Sequence, residues 1–254
     1  MRSRIPIAGL LLLLSTGTYA DDRDDNDNGR PGFLLVAGAG VSAKQSPYVG
    51  GSARVEVLPR VFALAGPFYV RGPALGVYLY GGDDLRISAG ISLDLADAHR
   101  GDSSQLADMP ELDDVLLAEI EASYEADWGE LDLSFAADVS GTHDGYLAGL
   151  AYRLSLEADR VEIEPKIGVK WQSAEVNRHD YGVGPADVRP DRPLYEPNAG
   201  LSYELGATVT YRFAERHTLS LEAGIEWLSA EASDSPIVER DSLASAGIGY
   251  LFWF

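Results

Sequence analysis

From Asp241 to Phe254 (DSLASAGIGYLFWF) the chain alternates with a period of two residues. Ala244, Ala246, Ile248, Tyr250, Phe252 and Phe254 fall on one face of an extended chain, while Ser245, Gly247 and Gly249 fall on the other. Aromatics crowd the end, and the chain stops on Phe254. Taken alone, this stretch could be the buried last strand of a soluble sandwich. The last strand of an outer-membrane β-barrel fits it better, because that strand closes the wall and sets aromatic rings at the membrane interface. Gly249, Tyr250, Phe252 and Phe254 are therefore expected to serve barrel closure and insertion.

The other end belongs to export. Arg2 and Arg4 form a basic start, residues 5–14 an apolar core, and Thr18-Tyr19-Ala20 a cleavage site before Asp21. This is the layout of a secretory signal peptide over residues 1–20, with an apolar run too short to span a bilayer. Residues 21–32 read as an acidic, disordered leader, and residues 33–254 as the folded part. The chain carries 20 basic and 40 acidic residues, and losing Arg2 and Arg4 takes the formal charge from −20 to −22. Such acidity argues against nucleic acid as a partner. It suits solvated loops and divalent-cation bridging to lipopolysaccharide. Cysteine is absent, so no disulfide frame and no thiolate metal site is available.

After the signal peptide no run of 18 apolar residues occurs, which excludes membrane-spanning helices. The apolar residues are dispersed in alternation instead. Long strand patterns fall at 115–125, 131–140, 146–157, 161–172, 201–213 and 218–229. In the fourth, Val161, Ile163, Pro165, Ile167, Val169 and Trp171 share one face, and Glu162, Glu164, Lys166 and Lys170 the other. Short turns near 65–67, 81–84, 127–129, 158–160 and 214–216 alternate with longer loops, notably 96–114 and 173–198. That asymmetry is the one short periplasmic turns and long extracellular loops produce. Keeping it in step requires Phe68–Tyr80 to be two strands broken near Gly72-Pro73, since proline cannot donate to a ladder. The expected fold is all-β: a transmembrane antiparallel up-and-down β-barrel of about twelve strands, with ten as the alternative, in a Gram-negative outer membrane. Trp171 and Trp227 would form one aromatic girdle, and Trp128, Tyr211, Phe213, Phe252 and Trp253 the other.

With Phe254 facing lipid, the lumen receives Glu162, Glu164, Lys166, Lys170, Glu204 and Glu222 among many charges, with acid in excess. Any pore would then favour cations. Signals for catalysis are weak. His143-Asp144 and His179-Asp180 lie in loops near Ser140 and Ser173, yet adjacent side chains diverge in an extended chain, and no Gly-x-Ser-x-Gly elbow occurs. No phosphate loop, cofactor fingerprint or paired metal spacing appears. The sequence Asp24-x-Asn26-x-Asn28-Gly29 begins like a calcium loop, but Leu35 stands where the bidentate Glu is required. The expected protein is not an enzyme, and no cofactor is expected.

Several pieces in order resemble one family. They are Pro165-Lys-Ile-Gly-Val-Lys-Trp171, then Asp180-Tyr-Gly-Val183, Asp144-Gly145 before a strand, Ser235-Pro-Ile-Val238, and the Gly-rich aromatic end at 247–254. Gln105-Leu106 to Met109 is a looser match. From about Phe33 onward the chain resembles the MipA/OmpV outer-membrane proteins, the family named for an MltA-interacting protein. It departs from them at Asp180, where the family has an aromatic, and in ending Phe-Trp-Phe. The resemblance implies a non-catalytic outer-membrane barrel that scaffolds a lytic transglycosylase and a murein synthase.

Overall fold

The computed structural model describes residues 33–94, 100 and 103–254. The segments expected to be a signal peptide and an acidic leader, and part of the expected 96–114 loop, lie outside the described residues. In chain order the elements are β1 (Phe33–Lys44), β2 (Arg54–Ala65), β3 (Phe68–Arg71), β4 (Ala74–Gly81), β5 (Leu85–Asp94), β6 (Val115–Ala126) and β7 (Gly129–Asp138). Then come β8 (Tyr146–Arg153), β9 (Leu156–Ala158), β10 (Val161–Gln172), α1 (Ala174–Tyr181), β11 (Gly200–Ala214), β12 (His217–Trp227), α2 (Ala230–Ser233) and β13 (Ser242–Trp253).

Each strand pairs antiparallel with its neighbour, and β13 returns to β1 over the register Val36↔Trp253 to Lys44↔Ser245. The sheet is therefore a closed barrel. β8 and β9 share one position in the wall, because both pair with β10. Pro165 of β10 faces the break between them: its carbonyl accepts from the Leu154 amide at 3.2 Å, but it has no N–H to return. Twelve positions make the wall. The Phe68–Tyr80 segment is split as expected, with Gly72 in a left-handed turn (φ 53°). Five connections of two or three residues gather at one rim with both ends of the described chain, and the long loops gather at the other.

Strand parity sorts the side chains. The outer face carries Val57, Ile120, Leu133, Ile167, Leu205, Leu221 and Ile248, all strongly exposed, which is the arrangement a hydrocarbon surround selects. Trp171 and Trp227 stand outward at the upper ends of β10 and β12, while Trp128, Tyr211, Phe213, Tyr250 and Phe254 stand outward near the lower rim. Trp253 is the exception and corrects the expected girdle. It alternates with the outward Phe252 and so turns inward, where its indole Nε1 donates to Thr218 Oγ1 at 3.2 Å. The expected loops also hold structure that period-two alternation does not show. α1 fills part of 173–198, and the short α2 is capped by Ser229 Oγ, which accepts from the Ala232 amide at 3.2 Å.

The β1–β13 seam is lined on its inner face by glycines with different tolerances. A Cβ on Gly38 would lie 1.8 Å from the Tyr250 carbonyl oxygen, whereas one on Gly247 would make ordinary contact at 3.4 Å with the Val41 carbonyl. Gly38→Ala must push two paired backbones apart, an overpacking cost of about 1–3 kcal/mol or more. It should lose the compact, unheated form on gels, while Gly247→Ala should keep it. Equal mobility of the two variants would contradict this account of the seam.

Candidate functional site

The interior is built from the inward residues of every strand and divides into three levels. The lowest is solid. Val36, Phe62, Leu64, Tyr69 and Leu251 form a buried apolar cluster with Leu34, Tyr78 and Trp253 against it, all from the adjoining strands β13, β1, β2, β3 and β4. Tyr69 lies flat over Gly76, where a Cβ would stand 2.4 Å from its ring. The opposite side of the same level is ionic. Arg153 bonds Asp132 through Nε at 2.8 Å and lies 3.3 Å from Glu130, which Arg86 also holds at 2.9 Å. Glu162 accepts from Ser155 Oγ at 2.5 Å. Arg153, Glu162, Thr218 and Ser220 are each at most 3% exposed, so solvent does not run past them. Charges kept from water survive only when paired and hydrogen-bonded, and this network meets that condition for Arg153.

Above this plug lies a chamber of about 630 Å³. The sequence-predicted lumen charges converge on it, except Glu162 and Glu164, which belong to the plug level. Lys166 bonds Glu204 at 2.6 Å, and Lys170 bridges Glu204 (3.5 Å) and Glu226 (3.4 Å). Arg60 bonds Glu222 at 2.5 Å, and Arg71 bonds Glu121 at 2.7 Å. Arg60 lies over Gly40 and Gly249, where a Cβ would come within 2.4 Å and 3.1 Å of its guanidinium group; only glycine leaves that path open. Lys44, Glu56 and Arg71 are lining residues that sequence reasoning missed. Lys44 is the last residue of β1, at the edge of its alternating pattern, and Arg71 lies in a four-residue strand too short to fix parity by pattern. Lys44, Arg54, Arg60, Arg71, Lys166 and Lys170 balance Glu56, Glu119, Glu121, Glu204, Glu222 and Glu226. The chamber is thus neutral in sum, although the whole chain is strongly acidic.

The top is a cap made by the loops. Tyr48, Leu106, Met109, Tyr181, Val183, Ala232 and Ile237 form its buried core, with Tyr195 and Val238 packed against them. Polar bonds lock the pieces. Tyr48 donates to the Asp180 carbonyl at 2.9 Å, Arg100 to the His179 carbonyl at 2.7 Å, and Ser235 to the Tyr181 carbonyl at 2.6 Å. Arg192 and Arg189 both clasp Asp108, at 2.5 and 2.6 Å, and the bond from Arg192 above all holds that carboxyl below its usual range. Burial pushes the Tyr48 phenol above its usual value.

The loop histidines meet beneath the cap. His143 and His179 pack edge to face with centroids 5.6 Å apart, beside a hollow of about 310 Å³. His143 Nδ1 accepts from the Gly145 amide at 2.8 Å, and Asp138 stands 3.6 Å from the same atom. His179 does contact the adjacent Asp180, at 2.9 Å, because the pair ends a helix and not an extended segment. Asp138 gathers the amides of Ser140, Gly141, His143 and Asp144 at 2.6–3.1 Å. Ser140 donates to Asp138, and Ser173 accepts from the Tyr146 amide, so both hydroxyls are engaged in holding loops.

A closed antiparallel wall, apolar outside and charged within, with short turns at one rim and long loops at the other, defines an outer-membrane β-barrel protein. The chain belongs to the MipA family: the family profile described as MltA-interacting protein MipA matches residues 37–254. It is 27% identical over 220 residues to the MltA-interacting protein of Escherichia coli (strain K12), covering 85% of this chain and 89% of that one. It is 25% identical over 211 residues to the putative outer membrane protein YiaT of the same organism, covering 82% and 85%. Among solved structures, the translocator domain of autotransporter NalP from Neisseria meningitidis aligns with a TM-score of 0.46 at 9% identity, over 90% of each chain. The relatives carrying outer-membrane names and the barrel itself place this protein in the outer membrane.

Burial, opposed by Asp138 and reinforced by His179, lowers the His143 pKa below its ordinary 6.5. The unfolded loop therefore binds more protons than the folded one. Stability from neutral His143 is complete above about pH 6.5 and is lost as pH falls through the lower folded value. Amide exchange over residues 139–145, corrected for intrinsic rates, should quicken below that pH in the native protein and lose the step in His143→Gln. A step that persists in the variant would assign it elsewhere.

Proposed function

We propose that this protein is a non-catalytic scaffold of the outer membrane that holds murein-synthesis and lytic-transglycosylase enzymes at its periplasmic rim. The observation that carries the reading is the filled lower lumen. A barrel plugged by Phe62, Tyr69, Leu251 and Trp253 on one side and by the Arg153 network on the other offers its surface rather than its bore. The name of the relative in Escherichia coli, MltA-interacting protein, supports the choice of partner. The rim has a matching chemistry. Asp83, Asp84, Asp127, Glu157, Asp159 and Glu215 are exposed there against Arg160 and Arg216, so a partner with a basic face is favoured in encounter and orientation. Trp128, exposed among these acids and braced by the Tyr152 ring at 6.0 Å, adds an apolar anchor.

A narrow cation-preferring channel is the second reading, favoured by the acid excess among inward residues. It requires a path through the plug. In planar bilayers the native protein should give no steady conductance, and Phe62→Ala combined with Tyr69→Ala should open one. Steady current through the native barrel would support the channel instead. For the scaffold, lytic transglycosylase should be retained on the immobilised barrel, and Asp83→Lys, Asp84→Lys and Asp127→Lys together should reduce retention several-fold at low salt. Retention no better than on an unrelated barrel would end the scaffold reading.

A further inference from the structure

Among the described residues the wall is incomplete between β2 and β5. β3 pairs only with Phe62–Ala65 of β2 before the chain turns at Gly72-Pro73, while β2 runs on up to Arg54. The Gly72 amide bonds the Val61 carbonyl at 2.8 Å. Backbone groups alternate sides along a strand, so those of Val55, Val57 and Pro59 point the same way. Among the described residues no strand lies beside them. On the other side β4 also stops at Ala74, with the Leu93 amide of β5 bonded to the Pro73 carbonyl at 3.3 Å. Among the described residues two strand positions are missing from the upper half of the wall. At ~4.8 Å per strand this leaves a notch about 10 Å wide, along roughly 20 Å of β2 edge.

The chamber reaches this notch. Its lining includes Leu58, Pro59 and Val61 on one lip and Gly72, Pro73 and Ala74 on the other. The plug closes the chamber below and the cap lies over it above. The notch therefore joins the chamber to the outer-leaflet half of the membrane. Its chemistry changes sharply from outside to inside. Val55 and Val57 are 67% and 72% exposed on the outer face, while Arg54, Glu56, Arg60, Arg71 and Glu119 line the inner side. An unpaired strand edge at membrane depth is tolerated only where water from a cavity meets it, and the chamber supplies that water. Pro59 on the lip has no N–H, so the edge is a poor template for an added strand.

The geometry points to a lateral binding site for a single-chain amphiphile of the membrane, with its hydrocarbon chain in the notch and a zwitterionic head in the chamber. The balanced charges inside select a zwitterion over an anion or a cation. The valine lip selects the chain. This goes beyond the scaffold reading, because it concerns the wall and not the periplasmic rim.

The test places a bimane label on the full-length barrel in phosphatidylcholine vesicles, at Leu58→Cys beside the notch or at Ser134→Cys on the inner face of β7. The quencher is myristoyl lysophosphatidylcholine carrying a nitroxide on its chain, and the control is a nitroxide-bearing phosphocholine with no chain. Quenching should be several-fold stronger at Leu58→Cys than at Ser134→Cys, should be relieved by unlabelled lysophosphatidylcholine, and should be weak with the chainless control. Equal quenching at both sites, no quenching, or equal quenching by the chainless probe would overturn the proposal. If Leu58→Cys does not give the compact unheated form, Ala74→Cys on the opposite lip carries the same comparison.

Discussion

The pairing of β13 with β1 is the constraint on which everything else depends. In hydrocarbon each unbonded backbone group is costly, so a sheet crosses a membrane only when its two edges satisfy each other. Nine consecutive register pairs do so here. Closure in this register fixes which residues look outward, and with them both the apolar surface and the charged interior. The seam also sets a steric limit: the strands cross so closely at Gly38 that no side chain fits. The aromatic end of the chain is thus the outer face of the seam, with Phe254 still bonded through its amide to the Leu35 carbonyl at 3.1 Å.

Once the wall is closed, the interior must be filled or wet. The lower level solves this with two unlike halves, apolar on β13 to β4 and ionic opposite. Neither half alone spans the bore. The apolar half removes water from the ionic one, which strengthens each charge pair and raises the penalty for breaking it. Higher up, the pairs stand around a cavity, and partial hydration relaxes the demand for complete partnering. The acid excess read from the sequence is real for the chain but not for this chamber. The extra carboxylates sit at the rim, in the loops and in the plug network.

Much of the fold was legible because parity is arithmetic. A side chain in a closed wall has two directions, and Gly72-Pro73 supplied the extra turn that made the strands come to twelve. The same arithmetic applied strictly turns Trp253 inward; grouping aromatics by rim put it in the girdle. What could not be read was set by packing at long sequence separation. Tyr48 meets Asp180, Ser235 meets Tyr181, and Arg192 meets Asp108, with no periodicity to announce them. Four of the motifs that carry the family resemblance find their place here, while Pro165–Trp171 and the end at 247–254 lie in the wall strands β10 and β13. Leu106, Met109, Tyr181, Val183 and Ile237 are cap core, and His143 and Gly145 shape the loop below it. Those short matches were loop motifs, and their shared feature is that they meet over the barrel mouth.

The notch between β2 and β5 is where the closure rule is relaxed. Among the described residues, a twelve-residue β2 beside a four-residue β3 leaves backbone groups without a strand partner at a depth where lipid cannot bond them. Extending β3 and β4 by a few residues each would remove the problem. The chain does the opposite: it turns early at Gly72-Pro73, places Pro59 on the open lip, and keeps Arg54, Arg60 and Arg71 directly behind it. Proline lowers the cost of the open edge by deleting one donor that would otherwise lack a partner, and it discourages pairing with another strand. The charges behind the lip make that side of the gap polar, the condition under which an unpaired edge is tolerated at membrane depth. Each feature makes the gap tolerable and none closes it, so the gap belongs to the architecture of the barrel, and the chamber opens sideways to the membrane rather than down to the periplasm.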